Sequence, residues 1–125
     1  MPDSRPAALI VEEQPFVGMV ASDILRESGF DTFHACDAKD AAVVLDQHPE
    51  IELVLTDAEL SGGAHGLELA RQVSRERPNV QLVVTAADHD FAQSELPPGA
   101  RVLRKPYASG ELRTLVSAKT VVEDV

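Results

Sequence analysis

Five short apolar runs recur along this chain of 125 residues, and they alternate with longer stretches, most of which repeat apolar residues at helical spacing. A short apolar run without polar alternation is typical of a strand that is buried on both faces of a parallel sheet. When such strands alternate with helices, right-handed crossovers place the helices on both faces of the sheet. The predicted strands cover residues 7–11, 31–35, 53–56, 81–84 and 101–104. The sequence therefore predicts an α/β fold, a doubly wound (βα)5 domain with five parallel strands.

The segments between the strands predict four clear helices and a weak one. The first helix begins near Pro15 and carries an apolar stripe that is expected to face the core, formed by Phe16, Val17, Val20, Ile24 and Leu25. Further helices are expected after Asp37, over about 67–77 and after Ser109. Residues 88–96 contain few apolar side chains and precede two prolines and a glycine. A short or disordered fourth helix is therefore expected there.

Length and composition limit the class of protein. A chain of 125 residues is long enough for one domain, expected here over residues 7–119, between an N-terminal extension (1–6) and a C-terminal tail (120–125). The net charge of -10 argues against direct contact with nucleic acid, because phosphate binding requires clusters of basic residues. No apolar run approaches the roughly 18 residues of a membrane span, and the N-terminus lacks a signal sequence. We therefore expect a cytoplasmic protein without membrane insertion.

Cysteine, arginine and histidine give weaker signals. The single cysteine, Cys36, excludes an intramolecular disulfide, and its position predicts a buried or half-buried, unreactive thiol. Arg71, Arg75 and Arg77 predict a solvated helix end, with an acidic partner surface as the alternative. The four histidines are too scattered to be metal ligands and are expected on the surface.

Reactive side chains follow four of the predicted strands. They are Glu12 and Glu13 after the first, Asp57 after the third, Thr85 at the end of the fourth and Lys105 after the fifth. The carboxyl ends of parallel strands share one edge of a sheet, where ligands bind. Three carboxylates at this edge would repel one another, so a hard cation, Mg²⁺ or Mn²⁺, is expected with them. Since an aspartate can attack phosphorus to give an acyl phosphate, the group predicts reversible phosphorylation of Asp57.

Four segments together resemble the receiver domain of bacterial two-component response regulators. These segments are residues 9–13 (LIVEE), 53–57 (LVLTD), 82–86 (LVVTA) and 103–107 (LRKPY), and the resemblance covers about residues 7–119. It implies a flavodoxin-like fold and phosphoryl transfer to Asp57 from a histidine kinase or phosphotransfer protein. It also implies a signalling phosphoacceptor rather than an enzyme, with self-catalysed transfer and slow autodephosphorylation only.

The resemblance assigns a role to each residue at the strand ends. The implied metal ligands are Glu12, Glu13, Asp57 and the backbone carbonyl of Glu59. The implied phosphoryl site consists of the acceptor Asp57, the switch hydroxyl of Thr85, the small neighbour Ala86, and Lys105, which precedes Pro106 in a cis peptide bond.

Several positions depart from the family pattern, among them the loop of residues 60–63 (LSGG), where the family often has Met-Pro before a glycine. Glu13 stands where the family has aspartate, which places its carboxylate one methylene further from the backbone. Glu59 adds a carboxylate near the phosphoryl site, and Val102 occupies the position of the aromatic switch residue. These departures put the metal geometry and the usual coupling between threonine and the aromatic residue in question.

Three functions are compatible with these residues. The first is a stand-alone receiver, a monomer or weak homodimer, that signals through phosphorylation-dependent contact with a downstream protein and has no DNA-binding output domain. The second is a degenerate receiver that binds a protein partner independently of phosphorylation, as Glu13, Glu59, Ser61 and Val102 together would suggest. The third is an aspartate-nucleophile phosphatase, which ranks last because no segment is long enough to form a cap over the site.

Overall fold

The computed structural model describes residues 5–60, 65–87 and 95–123, with the side chains of the last segment described as far as residue 116. The strands are β1 (Ala7–Val11), β2 (Asp31–Ala35), β3 (Ile51–Asp57), β4 (Gln81–Ala86) and β5 (Arg101–Arg104). The helices within these segments are α1 (Pro15–Glu27), α2 (Ala38–Gln47), α3 (His65–Glu76) and α4 (Ser109–Glu123).

The five strands form one parallel sheet in the order β2-β1-β3-β4-β5. β2 lies on one side of β1, whereas β3, β4 and β5 follow one another on the other side. Such a reversal of strand order places a binding site at the carboxyl ends of the strands on either side of it, here β1 and β3. The predicted doubly wound, flavodoxin-like fold is confirmed.

The sheet separates two apolar clusters. On one face, side chains such as Leu9 and Val54 pack against α2 and α3. On the other face, side chains such as Ile10 and Leu55 pack against α1 and α4. All of β1 is buried, as expected for a strand covered on both faces. Each such aliphatic side chain contributes about 1.5–3 kcal/mol through burial.

Two sequence signals for helix ends hold in the structure. The Asp37 carboxylate caps α2 by accepting a hydrogen bond from the backbone N–H of Asp40 at 2.8 Å. Gly29 follows α1 with a φ of 101°, a left-handed conformation that glycine adopts without strain.

At the other end of the chain, α4 runs to Glu123 and so continues past residue 119, the predicted end of the domain. The predicted weak helix over 88–96 falls largely on residues 88–94, which lie outside the described segments.

The prediction that the whole apolar stripe of α1 faces the core is wrong. Ile24 and Leu25 are buried, but Phe16 is 72% exposed and Val20 is 41% exposed. The buried side of the helix instead runs through Gly18 and Ala21, whose small size lets α1 lie close to its neighbours.

The predictions for Cys36 and for the arginine group also need correction. Cys36 is exposed, because it follows the last residue of the edge strand β2. Arg77 is not simply solvated, since its guanidinium donates to the backbone carbonyls of Leu45, His48, Pro49 and Ile51. The last carbonyls of a helix lack partners within the helix, and Arg77 supplies donors for this turn after α2. Arg71 likewise donates to the backbone carbonyl of Glu95 at 2.7 Å.

Candidate functional site

Lys105 connects the carboxyl ends of three strands. Its Nζ donates to Asp57 Oδ2 at 2.9 Å and to Glu12 Oε1 at 3.0 Å. Asp57 ends β3, Glu12 follows β1 and Lys105 follows β5, so strand order alone brings these side chains to one edge. The side chains of Glu12, Asp57 and Lys105 are 6%, 17% and 21% exposed. The structure therefore assembles three of the predicted site residues in a largely buried cluster.

The charges of this cluster stabilise one another. Burial by itself lowers the pKa of Lys105 and is the largest single influence on it. The hydrogen bonds and negative charges of Asp57 and Glu12 together outweigh burial and raise the pKa of Lys105 above its ordinary value of 10.5. Lys105 is therefore an ammonium at neutral pH, and it offsets the repulsion between two adjacent carboxylates.

Backbone donors fix the other oxygen of each carboxylate. Asp57 Oδ1 accepts from the backbone N–H of Glu59 at 3.2 Å, and Glu12 Oε2 accepts from the backbone N–H of Gln14 at 3.2 Å. All four carboxylate oxygens thus have a donor, which restricts the rotamers of both acids before any ligand arrives.

Thr85 and Ala86 line the same edge on the neighbouring strand. Thr85 lies opposite Asp57 in the register between β3 and β4, and both Thr85 and Ala86 are 3% exposed. A cavity of about 10 Å³ touches Thr85, Asp57, Glu12 and Tyr107. The structure therefore places the predicted switch hydroxyl opposite Asp57 and the predicted small residue one position further along β4.

Three residues close to Lys105 in sequence bear on the predicted switch. The Lys105–Pro106 bond is cis, as the resemblance implied. Val102 is half-buried in β5 and provides no aromatic ring. Tyr107 is half-buried beside the site, where burial raises the pKa of its hydroxyl and the charge of Lys105 opposes that rise. Tyr107 therefore lines the cavity described above together with Thr85.

Glu13 differs from Glu12 in its exposure to solvent. Its side chain is exposed in the loop between β1 and α1. Over the described part of the chain, no three His, Cys, Asp or Glu side chains lie close enough together to hold a metal ion. The close approach predicted for three carboxylates is thus formed by two, with the Lys105 ammonium between them.

The cluster nevertheless fits a hard divalent cation. Glu12 and Asp57 contact the same ammonium, so their carboxylates lie within two hydrogen-bond lengths of each other. The Glu59 N–H donates to Asp57, so the residue whose carbonyl the resemblance implies as a ligand is held at the acceptor through its backbone nitrogen. Carboxylate and carbonyl oxygens are the ligands that Mg²⁺ takes in proteins, together with waters.

Gly66 is a site residue that the sequence did not identify. A Cβ added at Gly66 would overlap the carbonyl oxygen of Asp57, and the Gly66 N–H donates to the carbonyl of Ala58 at 3.1 Å. The start of α3 can therefore pack directly against the end of β3 only with glycine at this position. Its sequence signal was a glycine in a first helical turn, where it lowers helix propensity without a reason visible in the sequence.

The chain matches known proteins over nearly its whole length. The family model of the response regulator receiver domain matches residues 8–117. The response regulator protein PilR of Pseudomonas aeruginosa is 33% identical over 117 residues, which cover 91% of this chain and 26% of PilR. The chain thus spans about a quarter of the length of this curated relative.

Solved structures of receiver domains share the fold. A CheY-like receiver domain from Methylobacillus flagellatus has a TM-score of 0.80 at 22% identity, covering 92% of this chain and 98% of that one. A response regulator receiver protein from Pseudomonas putida has a TM-score of 0.79 at 27% identity, with coverages of 92% and 98%. Because the family match includes every strand end that builds the site, this chain belongs to the response regulator receiver domain family.

Proposed function

We propose that this chain accepts a phosphoryl group on Asp57, with Mg²⁺ or Mn²⁺, from a histidine kinase or phosphotransfer protein. The observation that carries the proposal is the Asp57 carboxylate at the end of β3, held by Lys105 at 2.9 Å and lying beside the buried Thr85. Receiver domains take part in phosphorylation-based signalling and generally bind Mg²⁺ at the phosphorylation site. The proposed role is that of a cytoplasmic signalling phosphoacceptor.

Each residue of the cluster has a separate task in the transfer. Asp57 supplies the attacking oxygen, and the bond between phosphorus and the donor's imidazole nitrogen breaks as the new P–O bond forms. Lys105, which donates to Asp57 here, is placed to donate to an oxygen of the transferred group. The Thr85 hydroxyl is the further donor on the neighbouring strand, so its movement would report phosphorylation to the β4–β5 side of the sheet.

The cation would be held by Glu12, Asp57 and the backbone carbonyl of Glu59, with Glu13 as the outer member of the acidic pair. When bound, Mg²⁺ neutralises negative charge on the phosphoryl oxygens and on the acceptor carboxylate. Glu12 is suited to this task because it is buried and already oriented by the Gln14 N–H.

An exposed apolar surface supports a protein as the phosphoryl donor. Phe16, Met19 and Val20 are 72%, 54% and 41% exposed, and all lie on the first two turns of α1. α1 follows directly after the loop that carries Glu12 and Glu13. A donor protein that reaches Asp57 from this edge can contact the patch, and exposed apolar patches commonly mark such interaction sites. Output would likewise be a phosphorylation-dependent contact with a downstream protein.

The exposed Glu13 favours a second candidate function. A receiver in which Glu13 does not help Glu12 to bind a cation could bind a partner independently of phosphorylation. The two functions differ in divalent cation binding, which the degenerate form would lack at millimolar concentrations.

Intact-mass spectrometry after incubation with Mg²⁺ and acetyl phosphate tests the proposal. We expect the mass of one phosphoryl group to be added to the wild-type chain and to be absent from the Asp57→Asn variant. Asp46→Asn, at an exposed position on α2, is the matched control and should be phosphorylated normally. An unmodified wild-type chain, or equal modification of Asp57→Asn, would contradict the proposal.

A further inference from the structure

His34 reaches the acidic segment of the site from the neighbouring strand. It lies in β2, and its Nε2 is 3.0 Å from the backbone carbonyl oxygen of Glu12. A carbonyl can only accept a hydrogen bond, so Nε2 carries the proton and donates. We infer that His34 is a positioning residue that holds the Glu12–Glu13 segment in place and thereby strengthens divalent cation binding. The inference rests on the proposed function of the site.

Both backbone groups of Glu12 are held by the end of β2. The Glu12 N–H donates to the carbonyl of Ala35 at 3.0 Å, and the Glu12 carbonyl accepts from His34. The first bond continues the pairing between β1 and β2 by one residue, and the second comes from the side chain of His34, a residue within that pairing. Because the Glu12 carbonyl belongs to the peptide plane that joins Glu12 to Glu13, His34 fixes the direction in which Glu13 leaves the strand.

Gly18 on α1 provides an independent observation. A Cβ added to Gly18 would lie 2.7 Å from His34 Nε2 and 2.9 Å from its Cε1, both too close. Glycine within a helix costs about 1 kcal/mol relative to alanine. Gly18 has no left-handed backbone conformation to explain that cost, since the positive-φ glycines found in the described segments are Gly29 and Gly99. The imidazole that lies against Gly18 explains the glycine, because a methyl group there would push His34 away from Glu12.

The contact matters for the cation because it holds the peptide that joins the two acids. Glu12 is held at its backbone and at both carboxylate oxygens, and Glu13 follows it in an exposed loop. Without His34, the peptide between the two acids gains freedom that cation binding must remove again. Mutating the outer hydrogen-bond partners of metal ligands typically lowers metal affinity by about 10–100-fold. Because His34 is exposed and contacts a backbone carbonyl of Glu12 rather than its carboxylate, we expect a smaller effect, about 3–10-fold.

The test measures Mn²⁺ binding to the full chain from the electron paramagnetic resonance signal of the free ion. We expect His34→Ala and Gly18→Ala each to weaken binding by about 3–10-fold. The double variant should bind no more weakly than either single variant, because both changes break the same contact. His34→Gln, which keeps an N–H donor, should restore part of the affinity. His65→Ala, an exposed histidine on α3, is the control and should bind as the wild type does.

Urea unfolding separates positioning from a general structural role. Gly18→Ala should be about as stable as the wild type, because the gain in helix propensity offsets the loss of the His34–Glu12 hydrogen bond, while it binds the cation more weakly. If His34→Ala fails to fold, Gly18→Ala alone decides the question. Wild-type affinity in Gly18→Ala and in a folded His34→Ala would overturn the inference and leave the proposed function intact. A wild-type chain that binds no Mn²⁺ would overturn both, so the two failures are distinguishable.

Discussion

Lys105 is the residue that allows two buried carboxylates to lie side by side. Replacing Lys105 with methionine keeps the apolar stem but leaves Glu12 and Asp57 facing each other without a cation. Without the ammonium, the two carboxylates repel each other and their burial is no longer compensated. We therefore expect a loss of about 1–3 kcal/mol in the free energy of unfolding at neutral pH. Urea denaturation measures this loss, and Lys39→Met, at an exposed position on α2, should show almost none.

The pH dependence of the stability difference between the wild type and Lys105→Met tests whether the charge of Lys105 causes this difference. The pKa of Lys105 is raised on folding, so its contribution is fully present below its ordinary value of 10.5. That contribution is lost as the pH rises through the higher pKa of the folded state. The stability difference between the wild type and Lys105→Met should therefore be constant near neutral pH and shrink above about pH 10.5. A difference that grows at alkaline pH would contradict the assigned charge of Lys105.

Strands and helix positions follow from the sequence, whereas the faces of the helices do not. The predicted bounds of β1, β2 and β5 match the observed ones. Only β1 is an unbroken apolar run that is buried on both faces, whereas β2 and β5 are edge strands that mix buried and exposed residues. For α1, periodicity indicates an apolar side without showing how much of it the sheet and α4 cover. Phe16 and Val20 belong to the same periodic set as Ile24, yet the packing of Gly18 and Ala21 turns them outward.

Two alanine substitutions on α1 measure this orientation directly. Ile24→Ala removes a side chain that is 5% exposed and should cost about 2–5 kcal/mol in the free energy of unfolding. Phe16→Ala removes a larger side chain that is 72% exposed and should change stability by no more than about 0.5 kcal/mol. Equal losses in thermal or urea unfolding would place Phe16 in the core and remove the proposed contact surface for a phosphoryl donor.

Arg77 stabilises the turn between α2 and β3. Arg77 donates to the carbonyls of Leu45, His48, Pro49 and Ile51, and Arg77→Ala removes these hydrogen bonds. The carbonyls of Leu45 and His48 each keep a backbone N–H donor. We expect a loss of about 1–3 kcal/mol in the free energy of unfolding, since water replaces only part of these bonds. Arg75→Ala is the matched control on the same helix end, where the side chain is exposed, and it should have little effect. Similar losses in both variants would argue for a general charge effect instead.

For the molecule as a whole, topology explains which parts of the site the sequence could predict. Asp57, Thr85 and Lys105 meet because they end neighbouring parallel strands, and this follows from strand order alone. Glu13 and His34 depend on the path of a loop and on side-chain reach, which a single sequence does not encode as a pattern. His34 lies 22 residues from Glu12, and the glycine that makes room for it is on a third element.

The net charge of the whole chain makes cation binding visible in its stability. With a net charge of -10, any salt should stabilise the fold by screening repulsion, so MgCl₂ must be compared with NaCl at equal ionic strength. A site that binds Mg²⁺ in the folded state alone adds stability as its occupancy rises, about 1.4 kcal/mol at a concentration of about ten times Kd. The midpoint temperature of thermal unfolding of the wild type should therefore increase more in MgCl₂ than in NaCl. Asp57→Asn should lose this extra rise, because it removes a proposed ligand, whereas Asp46→Asn removes the same charge from the exposed face of α2 and should keep it. An equal response of all three proteins to both salts would mean that Mg²⁺ acts by screening alone, and the phosphorylation-independent function would then be favoured.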